Sequence, residues 1–247
     1  MKPLIVAHRG SSGVAPENTL AAFQQAIRDH ADMIELDVRM TRDFELVVLH
    51  ARSVRRTTGA KGYVWNLSLS ELRRLDAGSW FHRLFSGERI PTLRQVIDIL
   101  PAHVNLNIEV KTDGERRKDL ALQESLILLL REMNFARRAT VSSFNHKFLK
   151  RLHALDSDIA LGVLYSPVRD IARTPTRLAQ SAGARAFVCS VAQLSKRFAD
   201  DAHSHDIVLG CYGVNTRKQF EKAMNAGVAM MITDYPKKVR TWLASVK

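Results

Sequence analysis

Glu35 and Asp37 stand two residues apart in the apolar run 33–38. In a strand, that spacing turns both side chains to the same face. Two carboxylates so placed repel each other unless a cation lies between them. A third acid, Glu109, sits near the end of a later apolar run, 104–110. Three carboxylate oxygens, with water completing the shell, suit a hard divalent ion such as Mg²⁺ or Ca²⁺. A zinc site would draw more His or Cys. The simpler alternative for the first acid is an ion pair between Glu35 and Arg39. His8 and His50 close two further apolar runs, on strands expected to be neighbours. Imidazoles exchange protons at neutral pH. Arg9 and Lys111 add positive charge beside these groups, where an anion can bind. His82, His103, His146, His153, His203 and His205 fall in expected loops or helix faces, and are read as surface or structural.

Residues at these positions need strands to aim them. Short apolar runs alternate with helix-period segments along the chain, the pattern of βα units around a parallel sheet. Strands are expected at 4–8, 33–38, 104–110, 139–143, 159–164, 186–189, 207–212 and 229–233. Helices are expected at 18–29, 93–100, 118–133, 146–155, 171–182, 191–203, 217–225 and 237–246, with Asn18 or Thr19 near the first N-cap. Eight βα units in 247 residues predict an α/β fold, a closed TIM (β/α)8 barrel of one domain spanning 1–247. An open doubly wound sheet would show a glycine-rich fingerprint after the first strand. His8-Arg9-Gly10 stands there instead. The run 46–49 extends or accompanies the second strand and ends at His50. Residues 51–91 break the rhythm, with only a short helical piece at 70–75, and read as a small insertion after strand 2 on the loop face. Trp65, Trp80 and Phe81 within it can wall a pocket or form a satellite core. In a TIM barrel the carboxyl ends of the strands carry the site, and His8, Glu35, Asp37, Glu109, Lys111 and Asp234 all fall there.

The remaining composition narrows the partners. The formal net charge of +12 calls for an anionic partner or a solvated basic surface. The basic residues are scattered, without the aromatic-interleaved patch of a nucleic-acid binder, so no nucleic acid is expected. No run approaches a transmembrane helix, and no stable membrane insertion is expected. Cys189 and Cys211 fall in expected buried strands, and no leader precedes the first strand, so a cytoplasmic location is expected. The oligomeric state is left open.

Ordered motifs then carry a resemblance. His8-Arg9-Gly10, Pro16-Glu17-Asn18-Thr19, Glu35-Leu36-Asp37, His50, Arg56-Thr57-Thr58-Gly59 and Asp76-Ala77-Gly78 are followed by Ile90-Pro91-Thr92-Leu93 and Asn107-Ile108-Glu109-Val110-Lys111. Ser142-Ser143-Phe144, Val214-Asn215 and Thr233-Asp234-Tyr235-Pro236 complete the set. The chain resembles the glycerophosphodiester phosphodiesterases over nearly its whole length. The resemblance implies a TIM barrel with an insertion after strand 2. It implies a small-molecule glycerophosphodiester substrate, cleaved to sn-glycerol 3-phosphate and an alcohol. It implies Glu35, Asp37 and Glu109 as metal ligands, His8 and His50 as the general acid and base pair, and Arg9 and Lys111 as phosphate contacts. Two departures stand out. Ala51 occupies the place where the family usually has Asp. Tyr212-Gly213 replaces the usual Trp-Thr, so Tyr212 would offer the substrate an aromatic ring with a hydroxyl. A lysolipid-directed, phospholipase D-like lyase and a barrel that binds metal and phosphate esters without turnover are the rival readings.

Overall fold

The structure is a computed structural model that describes residues 2–246. The strands are β1 Leu4–His8, β2 Met33–Met40, β3 Leu46–Val48, β4 Asn105–Val110, β5 Ala139–Ser143, β6 Ala160–Leu164, β7 Ala186–Ser190, β8 Val208–Tyr212 and β9 Met230–Thr233. The helices are α1 Leu20–Arg28, α2 Arg55–Thr58, α3 Leu69–Leu72, α4 Leu93–Asp98, α5 Arg116–Glu132, α6 His146–Leu155, α7 Pro175–Ala182, α8 Lys196–Ser204, α9 Arg217–Asn225 and α10 Pro236–Ala244. Eight strands, β1, β2 and β4–β9, pair in parallel, and β1 pairing with both β9 and β2 closes the barrel. The expected TIM barrel is present.

The strand residues divide by alternation. One set packs outward against the helices: Ile5 and Ala7 of β1, Leu36 and Val38 of β2, Ile108 and Val110 of β4, all in the main core with Phe23, Leu126 and Phe148. The other set points inward. Val6, Met33, Leu164, Val188 and Ile232 fill the barrel interior as a plug of side chains. The same inward phase carries His8, Glu35, Asp37 and Glu109 further along their strands. An apolar floor therefore lies beneath a polar mouth.

Two helices begin later than the hydrophobic period suggests. The helix expected from 171 starts at Pro175, because Thr174 caps it and proline is favoured in a first turn. The helix expected from 191 starts at Lys196, where the Ser195 side chain accepts from the Phe198 amide. Thr19, rather than Asn18, caps α1. Asn18 is thereby released for another use.

The run 46–49 accompanies the second strand and does not extend it. β3 pairs antiparallel with β2 as a hairpin, Val38 opposite Val48. Val38 also pairs with Val110 of β4, so β3 must lie on the other edge of β2. That is the edge β1 occupies three residues earlier, where His8 sits opposite Glu35. His8 and His50 are thus carried not by paired neighbours, as expected, but by two segments in line along one edge of β2. Val47, Leu49, Val54, Val64, Leu72, Ala77 and Ile90 form a satellite core under residues 51–91. Trp65 is not among them. It stacks on Tyr63 with ring centroids 4.8 Å apart, beside a surface groove shared with Phe44 and Lys118.

Candidate active site

His8, Arg9, Glu35, His50, Glu109, Lys111 and Tyr212 line one cavity of about 230 Å³ at the carboxyl end of the barrel. Phe144, Leu164 and Ile232 give it an apolar side, and Asn107 and Ser142 add polar groups. Asp37 is the exception among the expected residues. It is fully buried behind the wall and not in it. Its carboxylate nevertheless joins those of Glu35 and Glu109, with one ligand oxygen from each lying within 4.8 Å of the others. The sheet register explains the cluster: Asp37 pairs with Glu109 across β2 and β4, and Glu35 sits one inward step below.

Positive groups wrap these acids. Arg9 Nε lies 3.2 Å from Asp37 Oδ2, and Lys111 Nζ lies 3.0 Å from Asp37 Oδ1. Lys111 also bonds Glu109. Asn18 Nδ2 donates to Asp37 Oδ2 at 2.8 Å. Arg9 adopts a left-handed conformation, φ 55°, which lets its backbone N–H donate to Glu35 Oε2 at 2.9 Å while its side chain reaches Asp37 and Glu17. Gly10 follows at φ 83°. A Cβ there would lie 2.6 Å from the Ala22 carbonyl carbon, so only glycine permits this close turn against α1. Arg56, from the segment after β3, also binds Glu17 and ties that segment to the first loop. The alternative pairing of Glu35 with Arg39 does not occur. Arg39 donates to the His50 carbonyl at 2.8 Å and pairs with Asp113 at 3.2 Å.

The electrostatics follow from burial and neighbours. Burial pushes Glu35 upward, and the adjacent Asp37 charge pushes it further. Burial and Asp37 also raise Glu109 against the pull of Lys111. Asp37 goes the other way: burial opposes its charge, but Lys111 and then Arg9 hold it well below the usual carboxylate range. Three acids this close therefore do not all ionise comfortably with Arg9 and Lys111 alone. Asp37 Oδ1 and Asn107 Oδ1 are buried without a hydrogen-bond partner; Lys111 approaches the first as a charge but not in bonding geometry. Clustered oxygen donors, unmet acceptors and mutually repelling acids fit a hard divalent cation.

The two histidines have opposite surroundings. His8 Nδ1 lies 2.6 Å from Asp234 Oδ1. Burial lowers its pKa, but the Asp234 bond and the Glu35 charge outweigh that and leave it raised. His50 is lowered to about 4 by burial, with Lys111 and Arg9 outweighing the opposing pull of Asp37. Asp234 is itself held by Asn215 Nδ2 at 2.6 Å and Ser12 Oγ at 3.2 Å. Sequence reasoning placed Asp234 at a strand end but gave it no role. Its partner lies 226 residues away, and only barrel closure reveals it.

Asp234→Asn is expected to lower kcat by about ten- to a hundred-fold, the usual effect of losing a group that orients a functional side chain. It should also move the alkaline limb of the pH–rate profile to lower pH, because the carboxylate raises the His8 pKa. A reduced rate with an unmoved limb would show that Asp234 acts only structurally.

At one end of a TIM barrel the structure thus gathers three carboxylates, two cationic side chains and two imidazoles around one cavity. The matching family model describes the "Glycerophosphoryl diester phosphodiesterase family" over residues 8–238, and the chain belongs to this family of hydrolases. It is 35% identical to a glycerophosphodiester phosphodiesterase of Caldanaerobacter subterraneus, covering 96% of each chain. It is 31% identical to one from Bacillus altitudinis, covering 94% of each. An Oleispira antarctica phosphodiesterase, solved in complex with the product sn-glycerol-3-phosphate, superposes with a TM-score of 0.90 at 27% identity, over 98% of this chain and 97% of that one.

Proposed function

We propose that this chain hydrolyses glycerophosphodiesters to sn-glycerol 3-phosphate and an alcohol, with residues 1–247 acting as one catalytic domain and 51–91 as an insertion in it. The observation that carries the reading is the single cavity of about 230 Å³ into which both imidazoles, two of the three acids, Arg9 and Lys111 converge. The product bound by the Oleispira relative supports the substrate class. Glu35, Asp37 and Glu109 would hold one Mg²⁺ or Ca²⁺. When bound, such an ion supplies Lewis-acid stabilisation of charge on a phosphoryl oxygen.

Arg9 and Lys111 hold the nonbridging oxygens and stabilise negative charge that grows there. His8 acts as the acid. Asp234 occupies its Nδ1 and favours the protonated ring, leaving Nε2 to give a proton to the departing alkoxide. His50 acts as the base. Its environment keeps it neutral at pH 7, free to take a proton from the nucleophile. The Arg39 bond to the His50 carbonyl positions this segment without an acid at Ala51. Tyr212 lines the cavity and offers its ring and hydroxyl to the substrate. Among the described residues, no helix is long and apolar enough to cross a membrane. A cytoplasmic location fits two free, buried cysteines.

The test is a panel of glycerophosphodiesters assayed with Mg²⁺, Ca²⁺ and Mn²⁺, beside Glu35→Ala. Steady release of glycerol 3-phosphate, abolished by EDTA and by the substitution, is expected. Absence of turnover with every diester and ion would overturn the reading and leave the lysolipid lyase and the binding barrel as its rivals.

A further inference from the structure

A second cavity, of about 560 Å³, lies beside the first and shares the lining residues Glu109, Lys111 and Phe144 with it. Arg39, Arg52, Lys147, Arg169 and Arg173 also line it. These residues come from four separate stretches of sequence, so basic residues that look scattered along the chain are gathered by the barrel at one side of its mouth. Their charges are only partly met. Arg39 and Arg52 share Asp113, at 3.2 and 3.5 Å. Among the described residues, Lys147, Arg169 and Arg173 form no ion pair, and all three are exposed. Besides Glu109, the cavity's acid is Asp170, which is buried, accepts from the Ser166 amide at 2.9 Å and lies 3.8 Å from His146. The walls therefore carry a clear excess of positive charge, next to the point where Lys111 meets the reacting phosphate.

We infer that this cavity receives the alcohol half of the substrate, and that it selects alcohols bearing their own negative charge, such as a phosphate monoester, over amine-bearing alcohols such as choline. The inference rests on the proposed diesterase activity. A second anionic group placed here interacts with Lys147, Arg169 and Arg173, and a quaternary amine is repelled by them. A groove of about 490 Å³ that also touches Lys111 sets Asp113, Glu115 and Asp119 against Arg42, Arg117 and Lys118, and so lacks a comparable excess of positive charge.

Two diesters differing by one phosphate separate the cases: glycerophosphoinositol and glycerophosphoinositol 4-phosphate, with glycerophosphocholine as the cationic comparison. At low ionic strength kcat/KM is expected to be about ten-fold or more higher for the phosphorylated inositol diester than for either other substrate. The advantage should lie in KM and shrink with added salt. The double substitution Arg169→Glu/Arg173→Glu should erase it and raise, not lower, kcat/KM for glycerophosphocholine, because the two charges that repel the amine become attractive. Equal rates on all three diesters, a choline preference, or an advantage that survives the double substitution would overturn the inference while leaving the diesterase reading intact. Failure to turn over any diester would overturn both.

Discussion

His8→Ala is expected to lower kcat on an alkyl glycerophosphodiester by about 10²- to 10⁴-fold, the range that general acid–base groups contribute. The reason is the leaving group. An alkoxide departs poorly unless protonated, and His8 is the ring whose surroundings keep a proton ready: Asp234 at 2.6 Å and the charge of Glu35 overcome the effect of burial. The loss should nearly vanish on a p-nitrophenyl glycerophosphate, whose phenolate leaves without help. His50→Ala should instead slow both substrates alike, because a base acts on the nucleophile and not on the departing oxygen. The pH profile gives a second check. In the proposed mechanism His50 is neutral and His8 charged, so activity is expected to fail at low pH as His50, lowered to about 4, takes a proton. It fails at high pH as His8, raised above 6.5, loses one. A His8→Ala defect of equal size on alkyl and aryl substrates would remove His8 as the acid.

Asp37→Asn is expected to cost both stability and the response to divalent ions. Asp37 feels attraction from Arg9 and Lys111 and repulsion from Glu35 and Glu109. Its pKa is held low, so attraction wins and neutralising it destabilises the fold. Arg9 retains Glu17 and Lys111 retains Glu109, so the cost should sit near the low end for a broken buried pair, about 3 kcal/mol, or a fall in Tm of about 10 °C in EDTA. Because the folded-state pKa is depressed, this contribution is present above the unfolded pKa of about 3.9 and disappears as pH falls through the folded value. Parent and variant should therefore converge in strong acid. Mg²⁺ or Ca²⁺ should raise the parent's Tm by mass action and leave the variant's unchanged. A variant as stable and as ion-responsive as the parent would separate Asp37 from the ligand set.

Much of this centre is legible in the chain because it is local. The Glu35–Asp37 spacing, the inward phase of β2 and the matching place of Glu109 on β4 are set by strand alternation. The eight βα units show in the hydrophobic rhythm, and both buried cysteines lie in strands as expected. What escapes is what closure creates. Of the two cap candidates, Asn18 and Thr19, the second caps α1, and Asn18 holds Asp37. The Glu17 link between Arg9 and Arg56, 39 residues apart from the latter, leaves no periodic mark. Asp234 meets His8 only because β9 returns beside β1. Helix starts are misplaced at α7 and α8 because a proline or serine near the true start overrides an apolar pattern that runs on into the preceding loop.

The hairpin strand β3 has a kinetic consequence. His50 is delivered by a segment resting on the satellite core of Val47, Leu49, Val54, Val64, Leu72, Ala77 and Ile90, whereas His8 and the three acids belong to barrel strands or their ends. A small cluster opens at lower free energy than a barrel. Transient detachment of that flap would leave the acids assembled and the barrel intact, but would withdraw one imidazole from the cavity. Amide exchange through residues 47–91 would then report the fraction of molecules able to fire, separately from the fraction folded.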